Sequence, residues 1–405
     1  GKSGRAPRYD YRFFNVYGNF DSDYLGMSGV YPTNIELSNL RWETLTGKNL
    51  GLNLRMFDDR LMLDVDIYQN RTEDLMFDNL DISSISGYRS MDQNVGTLDN
   101  QGWEVGLYTT PYKSDNLRVE FNFNISRNEN VIREISEFFP NEEGQLDRNG
   151  EYKRFLQVDN PFGAFYGYRY DGVYSDLEAT QARDAEGDVI TGPNGQPVYM
   201  RFNYPNTDYV FQPGDAKYED INHDGTIDSR DVVYLGNSNP KFIGGFGPSV
   251  TINNRWKLLA FFNYRIGYDI VNQTDMITTN MYGWDNQSAA VMSRWRKPGD
   301  VTEMPRAVFG DGFNWLGSDR YVQDASFLRF RSATISYRLG DDFLDKINMD
   351  DFRVFVTADN LMTFTNYRGQ DPEVNLRGGD PFGIAADNSR TPPTRRFTLG
   401  IQTTF

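Results

Sequence analysis

Leu50-Gly51-Leu52-Asn53-Leu54-Arg55-Met56-Phe57-Asp58-Asp59-Arg60-Leu61-Met62-Leu63-Asp64-Val65-Asp66-Ile67-Tyr68 alternates apolar and polar residues on both sides of a turn at Asp58-Asp59. Successive strand side chains point to opposite faces, so the stretch predicts a hairpin with one apolar face and one charged face. A soluble β-sandwich rarely holds Arg55, Asp64 and Asp66 in the middle of long strands. A water-filled lumen accepts them while the opposite face meets hydrocarbon. The alternation returns in Trp103, Val105 and Leu107 against Glu104 and Gly106, and in Leu117, Val119, Phe121, Phe123 and Ile125 against Arg118, Glu120, Asn122 and Asn124. It returns again from Trp256 to Ile266, after an Asn253-Asn254 turn, in Ala333 to Leu339, and in Phe352 to Ala358. Between Phe330 and Ala333 the phase slips by one residue, which predicts a bulge. The last eleven residues, Arg395 to Phe405, set Phe397, Leu399, Ile401, Thr403 and Phe405 on one face.

Composition agrees with a membrane barrel and removes other classes. Mean hydropathy is −0.62, and the longest apolar run, Leu258 to Phe262, is far short of the roughly 20 residues of a transmembrane helix. A barrel dilutes its lipid-facing residues with lumen-facing ones, so its mean hydropathy stays low. Aromatic residues make up 15% of the chain, as suits sites with one dry and one wet end. A net charge of −16 argues against nucleic acid. Without cysteine, any metal must be held by oxygen or by His223, the only histidine.

The polar segments 74–100, 129–160, 176–240, 272–324 and 361–394 read as long loops, and the turns between them as short. That asymmetry belongs to outer-membrane barrels, with tight periplasmic turns and long extracellular loops. The reading is all-β: a transmembrane antiparallel β-barrel of about a dozen strands, each of roughly 10 residues, within one domain over 1–405. The chain opens Gly1-Lys2-Ser3-Gly4, so its numbering is expected to begin inside a longer precursor.

One stretch carries metal-type spacing. Asp220, Asn222 and Asp224 stand at positions 1, 3 and 5 of a twelve-residue loop, with Gly225 at 6, Thr226 at 7, Asp228 at 9 and Asp231 at 12. Hard oxygens at these positions, with a glycine at the sharp turn, suit structural calcium. Asp231 is a shorter arm than the usual glutamate. A solvated Asn/Asp/Gly turn is the competing reading, and His223 reads as loop filler. No nucleophile motif, phosphate-cradling loop or two-histidine site occurs, so the chain reads as a non-enzyme. Trp103, Trp256, Tyr264, Phe397 and Phe405 read as lipid-facing or belt residues, against ordinary core residues of a soluble β-protein, and Phe405 as the residue that the barrel-assembly machinery recognises. Tyr282, Trp284, Phe313 and Trp315 lie in long loops, where they either stack on a sugar or peptide or pack their own loops.

Several stretches resemble the SusC/RagA family of TonB-dependent outer-membrane transporters of Bacteroides-type Gram-negative bacteria. They are Leu40 to Thr44 (LRWET), Tyr68 to Leu75 (YQNRTEDL), Asn94 to Glu104 (NVGTLDNQGWE), Tyr166 to Tyr174 (YGYRYDGVY), and the 220–231 loop running on to Leu235-Gly236-Asn237. Pro240 to Gly247 (PKFIGGFG), Phe327 to Tyr337 (FLRFRSATISY), Asp359 to Phe364 (DNLMTF), Gly369 to Val374 (GQDPEV) and Pro392 to Arg395 complete the set, in family order. The resemblance implies the C-terminal half of a 22-strand barrel, with the plug and N-terminal strands outside this sequence. It implies a SusD-like surface lipoprotein over the mouth, TonB acting through the plug, and import of oligosaccharides or oligopeptides. A passive or structural outer-membrane barrel and a secreted, calcium-stabilised glycan-binding β-protein are the alternatives.

Overall fold

The computed structural model describes residues 2–5, 14–24, 26–82, 84–88, 90–135, 148–152, 157–161, 163–204, 207–347, 349–373 and 385–404. Ten strands form its main sheet: β1 (Lys2–Arg5), β2 (Glu43–Met56), β3 (Leu61–Asp81), β4 (Ser90–Lys113), β5 (Leu117–Ile135), β6 (Phe242–Ile252), β7 (Trp256–Ile266), β8 (Phe327–Arg338), β9 (Asp351–Thr365) and β10 (Arg396–Thr404). Each strand hydrogen-bonds to its neighbour in sequence, an up-and-down meander. Two compact units divide the chain, one over 1–106, 126–142 and 156–162, the other over 107–125, 143–155 and 163–405; β4 and β5 contribute to both.

In the first unit, β2 and β3 pair antiparallel from Thr44↔Glu73 to Met56↔Leu61. Leu50, Leu52, Leu54 and Met56 thus face Ile67, Val65, Leu63 and Leu61 across one side of the sheet. Asn53, Asp64 and Arg55 take the other side, where Asn53 Nδ2 donates to Asp64 Oδ1 at 2.7 Å. The turn spans Phe57 to Arg60, with Phe57, Asp58 and Asp59 left-handed at φ 59°, 55° and 63°. Aspartate tolerates that region through local hydrogen bonds, whereas Phe57 adopts it at a cost of about 1–2 kcal/mol.

In the second unit, β6 and β7 pair from Phe242↔Ile266 to Ile252↔Trp256. Asn253 and Asn254 make the turn at φ 51° and 53°, the geometry matched to strand twist. Register brings Phe246, Phe262 and Phe330 side by side on the apolar face, stacked at 4.8 and 4.5 Å between ring centroids. Polar-face aromatics fill over glycines: the Phe355 ring lies where a Cβ on Gly400 would stand, 2.2 Å away. The phase slip is present as a register shift at Phe330/Ser332, where Arg331 is the extra residue of β8.

Three expectations change. Among the described residues the main sheet has ten strands where the sequence suggests about a dozen, and 201–210, read as part of a long loop, forms short strands of a separate three-stranded sheet. Segment 74–100 is mostly strand, since β3 runs to Asp81 and β4 starts at Ser90; polar residues suffice where a strand projects past an apolar layer. Tyr264 is buried, not lipid-facing: its hydroxyl donates to the Asn124 carbonyl at 3.0 Å and its ring covers Gly244. The periodicity also gives no sign of α1 (Asp341–Ile347), which joins β8 to β9 and buries Leu344.

A large buried cluster lies off the main sheet. Tyr168, Tyr174, Phe202, Phe211, Tyr218, Ile227 and Leu316 form a closed cluster in the 164–231 and 313–321 segments. Each contributes about 2–3 kcal/mol of burial, which is why these long polar segments fold at all. By contrast, Leu50, Leu52, Ile67, Phe397, Leu399 and Ile401 on the strands are exposed, Leu399 at 74%.

Candidate functional site

The 220–231 loop folds on the edge of that core. Gly225 sits at φ 83°, and a Cβ there would stand 2.8 Å from the Ala182 Cβ, so both turn and packing call for glycine. Asp220 Oδ2 accepts the Gly225 N–H at 2.7 Å, and Asn222 Oδ1 accepts the Asp224 N–H at 3.2 Å. Asp228 and Asp231 form a reciprocal capping box around the turn Ser229–Asp231. Asp231 is fully buried and accepts the Ile221 and Asp228 N–H groups at 2.8 and 2.9 Å. Burial pushes its carboxyl up to about 6 despite those bonds. Burial also raises Asp220. Burial acts upward on Asp228 too, but the Arg230 guanidinium outweighs it and lowers the carboxyl.

The six expected ligands therefore share one loop with the spacing the sequence predicts. Their oxygens are engaged elsewhere: Asp220 and Asp231 with backbone N–H groups, Asp224 and Asp228 with Arg230 at 2.5 and 2.7 Å. Among the described residues, no three His, Asp or Glu side chains converge as a metal site in this arrangement. His223 is exposed and left-handed at φ 55°.

The four loop aromatics separate. Phe313 packs inward, 4.6 Å from the Phe202 ring and 5.4 Å from Tyr209. Trp315 lies against Gly150 and 5.8 Å from Tyr282, edge to face. Trp284 is 92% exposed, and its ring neighbour among the described residues is Phe309 at 4.7 Å, itself exposed. Phe309 was not singled out by sequence, because one Phe among 29 carries no signal. Phe405 lies outside the described residues.

The quoted motifs prove to be mutual fasteners, which spacing could not reveal. Asp99, 1% exposed, accepts two hydrogen bonds from Arg71 at 2.7 and 2.9 Å and one from Arg133 at 2.9 Å, joining β3, β4 and β5. Asn94 ties LRWET to YQNRTEDL, donating to the Arg41 and Asp74 carbonyls at 2.9 and 2.6 Å. Arg329, 1% exposed, meets Asp371 at 2.5 Å and Glu373 at 3.1 Å, while the Tyr268 hydroxyl donates to the Pro372 carbonyl at 2.8 Å. FLRFRSATISY and GQDPEV are thereby locked together.

No family model matches the chain. TonB-dependent receptor P3 of Formosa agariphila is 29% identical over 391 residues, covering 94% of this chain and 36% of that protein. TonB-dependent receptor SusC of Bacteroides thetaiotaomicron is 24% identical over 382 residues, covering 91% of this chain and 32% of that protein. The chain thus spans about a third of the length of these curated relatives. Among solved structures, the RagAB peptide transporter aligns with a TM-score of 0.71 at 20% identity, covering all of this chain and 40% of that one. The resemblance to SusC/RagA transporters is borne out along nearly the whole chain, and the fold is that of their barrels.

Proposed function

We propose that this chain is part of the barrel of a TonB-dependent importer in the outer membrane of a Bacteroides-type bacterium, carrying oligosaccharides or oligopeptides. The exposed apolar sheet face is the observation that carries the reading. Leucines at 50, 52 and 399 with Phe397 and Ile401 are exposed, while a buried cluster sits in the loop segments. Exposed rows of this size suit a lipid solvent, and Asn53, Asp64 and Arg55 on the reverse face suit water. A SusD-like lipoprotein and TonB acting through a plug are the partners of this reading; the chain performs no chemistry of its own. The Trp284–Phe309 pair is its contact for substrate or lipoprotein, and the barrel-assembly machinery reads Phe405. The 220–231 loop takes structural calcium once Arg230 leaves Asp224 and Asp228, since its hard oxygen donors fit that ion.

Uptake of glycan and peptide mixtures by cells producing the full-length protein tests the reading. TonB-dependent loss of a substrate from the medium is expected. Uptake that continues without TonB favours a passive barrel, and a protein that stays in solution without detergent defeats the membrane assignment.

A further inference from the structure

Arg320 occupies an uncommon position for a cation. Its guanidinium carbon lies 4.9 Å from the centroid of the Tyr170 ring and 5.2 Å from that of Tyr321, and its Nη2 donates to the Met304 thioether at 2.9 Å. Among the described residues, no carboxylate pairs with it, whereas Arg169 next to its shelf pairs with Glu219 and Arg306 with Asp215. The shelf itself is fixed: the Tyr170 hydroxyl donates to the Glu303 carbonyl at 2.5 Å, the Tyr170 N–H donates to Asp319, and Tyr321 is buried.

Asp275 attracts the guanidinium only through space; a half-buried cation without a directly paired anion is costly, and attraction to ring faces offsets only part of that cost. Stacking on rings has a second effect. It holds the planar guanidinium still while leaving in-plane N–H groups unused, the arrangement that meets a carboxylate through two parallel hydrogen bonds. Thioether sulfur is a weak acceptor that an incoming oxygen readily displaces. The Arg320 side chain keeps partial access to solvent.

We infer that Arg320 is a docking point for a carboxylate carried by the imported molecule. This rests on the importer reading for the source of that group, which is either the C-terminus of a peptide or a uronic acid. Tyr170 and Tyr321 orient the fork, and the bound carboxylate supplies the charge that the fold withholds.

Titration calorimetry on the full-length protein in detergent tests this with two matched pairs of probes: trialanine against its C-terminal amide, and digalacturonic acid against galactobiose. The acidic member of one pair is expected to bind at least about tenfold more tightly than its neutral twin, as suits a charge-assisted bidentate contact. Arg320→Met should close that gap at an unchanged melting temperature. Which pair shows the gap identifies the source. No gap in either pair, or a gap that survives Arg320→Met, overturns the inference. If the methionine variant does not fold, Arg320→Lys decides instead, because it keeps the charge and loses the fork: a gap undiminished in that variant is equally fatal. TonB-dependent uptake is read separately, so losing the importer reading leaves the binding comparison standing on its own.

Discussion

Asn94 pairs with Arg41 through its side chain as a strand residue pairs through its backbone. Its Oδ1 accepts the Arg41 N–H at 2.8 Å and its Nδ2 donates to the Arg41 carbonyl at 2.9 Å. Asn94→Asp keeps the acceptor and loses both donated bonds, leaving the Arg41 and Asp74 carbonyls facing a carboxylate. A loss of about 1–3 kcal/mol in local stability is expected. Amide hydrogen exchange over Arg41 to Thr44 should quicken accordingly, and unchanged protection there would show that the amide clamp is idle.

Asp99 holds Arg71 and Arg133 on strands either side of its own. Asp99→Asn removes the charge from three hydrogen bonds that a buried carboxylate makes, and about 2 kcal/mol should be lost after allowing for the partial exposure of both arginines. Limited proteolysis of detergent-solubilised protein should then cut within β3 to β5 more rapidly than in wild type.

Gly400 is required by the ring beside it. Phe355 and Gly400 are register partners, and any Cβ at 400 meets the ring. Gly400→Val should sharply reduce the heat-resistant folded band in cold-loaded gels, and Phe355→Ala in the same chain should restore much of it. Failure of the second change to help would mean that glycine serves the backbone of β10 instead.

Asp231 gives the loop a pH dependence of definite sign. Its folded carboxyl, at about 6, lies above the ordinary unfolded value near 3.9. The folded state holds this proton more tightly, so the contribution is complete below about pH 4, declines as pH rises to 6, and stays lost above, by about 2–3 kcal/mol. Exchange at the Ile221 and Asp228 amides, corrected for intrinsic rates, should quicken across that window in wild type and not in Asp231→Asn.

Calcium acts against that loss, because it binds the ionised carboxylate. At pH 7, millimolar calcium should slow exchange over 220–231 in wild type and leave Asp220→Ala unaffected. Equal behaviour of the two would remove the ion from this loop.

Much of the strand architecture is readable from residues 50–68, 256–266 and 396–404, since a period of 2 is a local property. The Arg331 slip is readable for the same reason. Strand extensions at 74–81 and 90–102 escape detection, because polar contacts such as those of Asp99 with Arg71 and Arg133 hold them in place of an alternating apolar face. The calcium-type loop is legible as spacing, whereas Arg230 turning back onto Asp224 and Asp228 is a contest among charges that spacing does not describe. Arg320 on the Tyr170 ring, and the Asn94 and Asp99 fasteners, join residues from 20 to about 150 positions apart; only the folded chain brings them together.

Arg331 sets how the wall copes with changes in length. Opposite it, Phe261 and Phe262 are adjacent on β7, whereas Asn360 and Leu361 intervene between Asp359 and Met362 on β9, so neighbouring strands gain none, one and two residues in turn. Removing the single codon for Arg331 would let Phe330 precede Ser332 in unbroken alternation, so Leu328 and Phe330 would keep their places opposite Tyr264 and Phe262, and Arg329 its own face. A gap of equal size among the turns at 184–196 would pass unnoticed. Lineages descending from this gene should therefore drift in loop size and at this one slip, while the rest of β8 keeps its count.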